Sequence, residues 1–216
     1  MENLDKNIND FKKDTLAVEQ FLTGTKVSYN FFKGNYPKIE KEFEEKNRNS
    51  EEIEGMEMFK KLKNSLPKYE TEIYTYCFIN LIARTEAFLN DILETLYVSK
   101  NIDLTQKVRE KKILNFSHSA YKKKIEFLKK EFDLTFPMLE KHNSDITELF
   151  SARNIILHNN GFINQTYLSI NESSKLKIND KKVINEEYIK LTFILLIIIA
   201  KSIEKEIKEK MSNAYS

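Results

Sequence analysis

The stretch Ser151-Ala152-Arg153-Asn154-Ile155-Ile156-Leu157-His158 sets an arginine, an asparagine and a histidine into an otherwise greasy segment. Histidine titrates near neutrality and can take or give a proton. Arginine stays charged and offers a planar fork to phosphate oxygens. Asparagine can orient a histidine or donate to a phosphate. On a helical wheel started at Ile146 and advanced by ~100° per residue, Leu149, Phe150, Ile156 and Leu157 share one apolar arc. Thr147, Ser151, Asn154 and His158 form a second, polar stripe only ~60° wide. Asn154 and His158 are one turn apart and lie on one face. Arg153 falls inside the apolar arc. There it must pair, snorkel, or sit where two apolar surfaces meet.

A possible partner lies earlier in the chain. Ile79, Ile82, Ala83, Glu86, Leu89 and Leu93 recur at helical spacing, so Glu86 interrupts an apolar stripe. It could pair with Arg153 and hold it in position, or lie at the stripe edge and reach water. Arg153 and His158 raise a geometric difficulty. Residues at this spacing point ~140° apart on an ideal helix. One helix does not bring them together without a long reach or a loosened last turn.

The elements that must position these residues read as helices. Asn3 to about Leu22 reads as a first helix, ended by the Thr23-Gly24-Thr25 turn. Tyr29 to Lys46 reads as a second, perturbed by Gly34 and Pro37, and Glu51 to Lys63 as a short third. A long helix from Pro67 to about Val98 carries the Glu86 stripe, with proline at a first-turn position. Two shorter helices follow, near Leu104 to Ile113 and Ser117 to Phe132, the latter capped by Ser117 or Ser119. The motif helix starts at Asn143 or Ser144, with Asp145 and Glu148 in the first turn. It stops at Asn159-Asn160-Gly161. The alternation in Leu176 to Ile184 suggests a small β-hairpin. Asn185 caps a last helix whose apolar stretch, Tyr188 to Ile203, belongs in the core; the charged tail from Glu204 would protrude.

Composition bounds the answer. The chain has 216 residues, 41% of them hydrophobic, with 4 glycines and 3 prolines. Such scarcity of breakers favours an all-α fold over a barrel or sandwich of many turns. The lone Cys77 excludes an internal disulfide, and the N-terminus lacks the apolar core of a signal peptide, so the expected compartment is the cytoplasm. The greasiest run, Phe193 to Ala200, falls short of the ~18 residues of a membrane span, so no membrane partner is expected. Net charge is +2, yet between Lys107 and Lys130 nine basic side chains stand against Glu110 and Glu126. Lys122, Lys123 and Lys124 centre that patch. It suits a polyanion, or is simply a solvated helix face. No glycine-rich phosphate loop, metal-ligand cluster or Ser/His/Asp arrangement has recognisable spacing, so no metal and no cofactor is expected.

Arg153-Asn154-Ile155-Ile156-Leu157-His158 resembles the Arg-x4-6-His motif of the HEPN domain superfamily, in the form with asparagine after the arginine. The resemblance covers about residues 67 to 210. It implies an all-α HEPN-like bundle at 67–210, an N-terminal helical extension at 1–66 and a tail at 211–216. Many members are metal-independent ribonucleases. For this chain the resemblance implies attack of a ribose 2′-OH on the adjacent phosphate, giving a 2′,3′-cyclic phosphate and a 5′-OH. His158 would be the general acid/base, Arg153 the phosphate clamp and Asn154 the orienting group, with Glu86 and Ser151 in support. Lys122, Lys123 and Lys124 would hold RNA. Family members bring two motif helices together by dimerising, so a homodimer with a composite site is expected, in a prokaryotic defence or toxin setting. Members paired with nucleotidyltransferase antitoxins often carry a tyrosine where Asn160 stands, so a partner of that kind is not implied. Any other antitoxin or regulatory protein is left open. The competing reading is a catalytically silent HEPN-like dimer that binds nucleic acid, nucleotide or a protein partner. In it Arg153 and His158 only stabilise helix ends.

Overall fold

Leu4, Ile8, Phe11, Thr15, Val18 and Leu22 alternate at spacings of four and three, and all are buried. That period lays one seam along a helix and asks for a partner helix beside it. In the computed structural model, which describes residues 2–47, 53–99 and 105–213, the partner is the helix that carries Glu86. The chain forms α1 (Glu2–Asn47), α2 (Ile53–Ser99), α3 (Gln106–Ser117), α4 (Tyr121–Phe132), α5 (Pro137–Lys141), α6 (Asn143–His158), α7 (Gln165–Ile170) and α8 (Glu186–Asn213). The fold is an all-α bundle, with no strand among the described residues.

The long α1–α2 hairpin differs from the sequence reading. No turn forms at Thr23-Gly24-Thr25, and Gly34 and Pro37 lie inside one 46-residue helix. Pairing with α2 along the hairpin outweighs the local cost of these residues. Side chains of α1 also bond backward onto its backbone: Thr25 Oγ1 donates to Phe21 O (2.7 Å) and Asn35 Nδ2 to Phe31 O (2.8 Å). α2 likewise runs unbroken through position 67, so Pro67 does not begin a helix. The expected boundary at 66/67 therefore falls within a helix shared by the N-terminal segment and the bundle. The expected helix starts at Glu51 and Leu104, and the end of the tail from 214, lie outside the described residues.

α8 packs antiparallel to α1. Lys208 pairs with Asp5 (2.8 Å) at one end and Lys26 with Glu186 (2.6 Å) at the other. The segment after Glu204 does not protrude: α8 continues to Asn213, with Ile207 buried, because the Ile199, Ile203, Ile207 stripe keeps its period along α1. Phe11 stacks on Phe88 with ring centroids 4.5 Å apart, locking α1 to α2. Beyond the level of Glu186, α1 and α2 hold each other: Tyr29 Oη donates to Leu66 O (3.0 Å) and Lys63 pairs with Glu40 (2.9 Å).

The small elements frame α6. Ala120, rather than Ser117 or Ser119, is the N-cap of α4, and no side chain bonds its first turn. Ser119 Oγ instead donates back to Asn115 O (2.7 Å). The expected hairpin at Leu176 to Ile184 is absent. That segment pairs with the chain just after α6, through one antiparallel bridge between Phe162 and Lys181. Ile163 N–H donates to Asp180 O (2.8 Å), and Lys182 N–H to Gly161 O (2.8 Å). Two short strands alone are marginal, and the segment at 161–163 offers a better-anchored partner. Asn185 caps α8 as expected, accepting from Tyr188 N–H at 2.9 Å.

Candidate functional site

α6 starts at the surface, where Asn143, Ser144 and Asp145 are exposed, and its middle packs into the core through Ile146, Leu149, Phe150, Ser151, Ala152 and Ile155. Its last turns reach the surface again. That is where Arg153, Asn154, Leu157 and His158 lie, half-buried or exposed. The helix stops as the Asn-Asn-Gly sequence requires. Asn159 N–H (2.8 Å) and Gly161 N–H (2.9 Å) both bond Ile155 O, while Asn160 (φ 51) and Gly161 (φ 79) take the left-handed conformation. A Cβ on Gly161 would meet Lys182 O at 3.5 Å, so its backbone conformation, more than space, calls for glycine.

Arg153 leans toward α2. Its Nη2 lies 3.5 Å from Glu86 Oε2, the pairing the apolar stripe suggested. Its Nη1 donates to Asn154 Oδ1 at 3.2 Å, and its Nε is buried with no hydrogen-bond partner. Asn154 and His158 open on the other side of α6. With Ser151, Asn164, Tyr167 and Ile170 they line a groove of about 230 Å³ between α6 and α7. Asn154 thus touches both halves of the motif. Within one chain Arg153 and His158 do not line a common cavity, as the wheel anticipates. A roomier groove of about 490 Å³ between α1 and α8 is lined mainly by apolar groups such as Leu16, Ile194 and Ile197, and shares no residue with the motif.

Ser151 is buried and used internally. Its Oγ donates toward Thr147 O and Glu148 O (both 3.0 Å) and accepts from Asn171 Nδ2 at 2.7 Å. It ties the end of α7 to α6 and so shapes the groove wall.

Glu148 lies beyond the first turn of α6, where Asp145 is the acid, and is a hub. It accepts from Tyr167 Oη (2.6 Å), Lys182 Nζ (2.6 Å) and Tyr188 Oη (2.5 Å). Lys182 Nζ also sits 4.2 Å from the centre of the Tyr188 ring. Burial pushes both phenols well above the ordinary tyrosine range, and the adjacent carboxylate adds to it. The cluster pins α7, the segment before α8, and α8 itself onto α6. Nothing in the sequence flags it, since its members follow no common spacing.

Among the three lysines, Lys122 and Lys123 are exposed, whereas Lys124 is 1% exposed. A direct contact of Lys124 with RNA is therefore corrected. Tyr121, Lys124, Ile125, Leu128 and Phe132 make the buried face of α4, and their helical spacing puts Lys124 in that stripe. Its amine lies over the Phe116 ring, 5.2 Å from the centroid, with no hydrogen-bond partner.

Cys77 is buried, and burial pushes its thiol up to about 11. No group of three or more His, Cys, Asp or Glu residues among the described residues is arranged to hold a metal ion. None of their helices is long and apolar enough to cross a membrane. No protein-family model matches this chain, and neither a curated protein nor a solved structure shows significant similarity to it.

Proposed function

We propose that this protein is a metal-independent endoribonuclease of HEPN type, cutting RNA to 2′,3′-cyclic phosphate and 5′-OH ends. The observation that carries the reading is that Arg153, Asn154 and His158 all surface in the last turns of a helix whose middle belongs to the core. In the reaction His158 takes the 2′-OH proton or returns one to the leaving oxygen. Arg153 neutralises the phosphorane, and Asn154 orients the group beside it. Glu86 holds the arginine fork. Lys122 and Lys123 supply sequence-independent affinity for the RNA backbone.

The separation of Arg153 from the His158 groove favours a homodimer in which each site takes its arginine from one copy and its histidine from the other. Leu157 stands one turn beyond Arg153 on the same side and is 43% exposed, which suits a surface covered by a second copy. The setting proposed is the prokaryotic cytoplasm, in a defence or toxin role.

A second reading is favoured by one specific contact. Arg153 is already engaged by Glu86, so the pair could serve only to join α6 to α2 in a catalytically silent, binding HEPN-like dimer. Purified protein incubated with total RNA in EDTA separates the two. Cleavage that leaves cyclic phosphates and is lost in His158→Ala supports the ribonuclease. Binding without turnover supports the silent dimer, and equal cleavage by wild type and variant rejects the site.

A further inference from the structure

The groove between α6 and α7 carries more than the proposed chemistry uses. Besides Asn154 and His158 it is lined by Asn159, Asn164 and Thr166. Ile155 and Ile170 give it apolar walls, and Ile170 is left 49% exposed. Its volume of about 230 Å³ falls below the roughly 300–1,000 Å³ of a site for a whole small molecule, and suits one flat ring. Each of the three asparagines is held by a partner that can act in one sense only. Tyr167 N–H donates to Asn164 Oδ1 (2.9 Å), so Nδ2 of that amide is the free end and a donor. Arg153 Nη1 donates to Asn154 Oδ1 (3.2 Å), which again leaves Nδ2 free. Phe162 O accepts from Asn159 Nδ2 (2.6 Å), so Asn159 keeps Oδ1 as a free acceptor. The groove wall therefore offers two amide donors and one amide acceptor, and the Thr166 hydroxyl can serve in either sense.

Single-stranded RNA is read by splaying a base out of the strand and bonding its pairing edge. Uracil and cytosine each present two acceptors and one donor on that edge, the complement of this set. Guanine presents two donors and one acceptor, adenine one of each, and both have two rings. The ribose that carries a base also carries the attacking 2′-OH. A base beside His158 therefore belongs to the nucleotide on the 5′ side of the cut. We propose that this groove is a pyrimidine subsite, which holds the base of the nucleotide whose 2′-OH His158 deprotonates, so that cleavage falls after uridine or cytidine. The inference rests on the ribonuclease reading of His158. Asn164 and Asn159 touch the base and set specificity, and neither takes part in the proton transfers.

The test measures kcat/KM on DNA oligonucleotides that differ only in a single ribonucleotide, U, C, A or G, which sets the one bond that can be cut. Wild type is expected to favour U and C over A and G about tenfold. Asn164→Ser keeps an oxygen to cap α7 and removes the amide donor, so the preference should shrink about fivefold. Asn164→Asp keeps the cap as well and turns the donor into an acceptor, so it should shrink the preference further. A residue that only shaped the wall would slow all four substrates alike. Equal rates on the four substrates in wild type overturn the inference, as does a ratio unchanged in both variants. A second arm needs no turnover. In ¹⁵N-labelled protein, uridine 3′-monophosphate is expected to shift the side-chain amide signals of Asn164 and Asn159 at lower concentration than adenosine 3′-monophosphate. Shifts that are absent, or equal for the two nucleotides, overturn the subsite. Wild type that cuts no RNA yet shows the selective shift supports the subsite and removes the ribonuclease reading, which tells the two failures apart.

Discussion

Arg153 of α6 and Glu86 of α2 meet at 3.5 Å, and this ion pair joins the motif helix to the longest helix of the fold. Both side chains are partly solvated, so the pair adds little to stability, about 0.2–1 kcal/mol. Its expected importance is in aiming the guanidinium. Glu86→Gln should leave the urea midpoint nearly unchanged while lowering the rate of RNA cleavage. Loss of folding in that variant would mean that the pair is chiefly structural.

A composite dimer makes a sharper demand. Arg153→Ala and His158→Ala should each be inactive alone, and mixing them should restore activity. With free exchange of subunits, half the dimers are mixed and each holds one intact site, so recovery should reach about a quarter of the wild-type rate. Sedimentation of the mixture checks that the dimers form. Active mixed dimers would show that the two residues act across a two-fold axis, and persistent inactivity would show that each chain needs both of its own.

The Glu148 hub should matter for folding. Tyr188→Phe removes a hydrogen bond to a charged acceptor and should cost about 1.5–3 kcal/mol. Glu148→Ala should cost more, because the Tyr167 and Tyr188 phenols and Lys182 then lose their acceptor together. Urea unfolding followed by circular dichroism measures both. A cost below ~0.5 kcal/mol for Glu148→Ala would mean that the cluster is not a lock, since neutral surface changes fall in that range.

Lys124 should be a liability for stability. Its folded pKa lies below the unfolded value, so between the two the unfolded chain binds the extra proton. The penalty is therefore largest at neutral pH and fades as pH rises toward the unfolded lysine value near ~10.4. Lys124→Met should raise the thermal midpoint at pH 7, and the gain should shrink by pH 10. A gain independent of pH would point to packing instead of charge.

The exposed lysines should show themselves through salt. Replacing Lys122 and Lys123 by alanine should weaken RNA binding similarly for different sequences. If each contacts one phosphate, each replacement should flatten the slope of log affinity against log salt by ~1. An unchanged slope would place the RNA path elsewhere on the surface.

The sequence by itself determined the helical class, since seams such as Leu4 to Leu22 and Ile189 to Ile203 need only local periodicity. It also determined the end of α6 at Asn159-Asn160-Gly161, because left-handed backbone is a property of those residues. For Glu86 the sequence left two readings open, a pair with Arg153 or a stripe-edge carboxylate reaching water, and the tertiary structure decided for the pair. The continuity of α1 and α2 was not legible: local breakers such as Gly24 and Pro37 argue for turns, and only the energy of a packed partner helix overrides them. The Glu148 hub and the bridge from Phe162 to Lys181 were likewise decided by tertiary structure. Each joins residues far apart in the chain, and a hydrogen bond or a bridge depends on distances that no local pattern encodes.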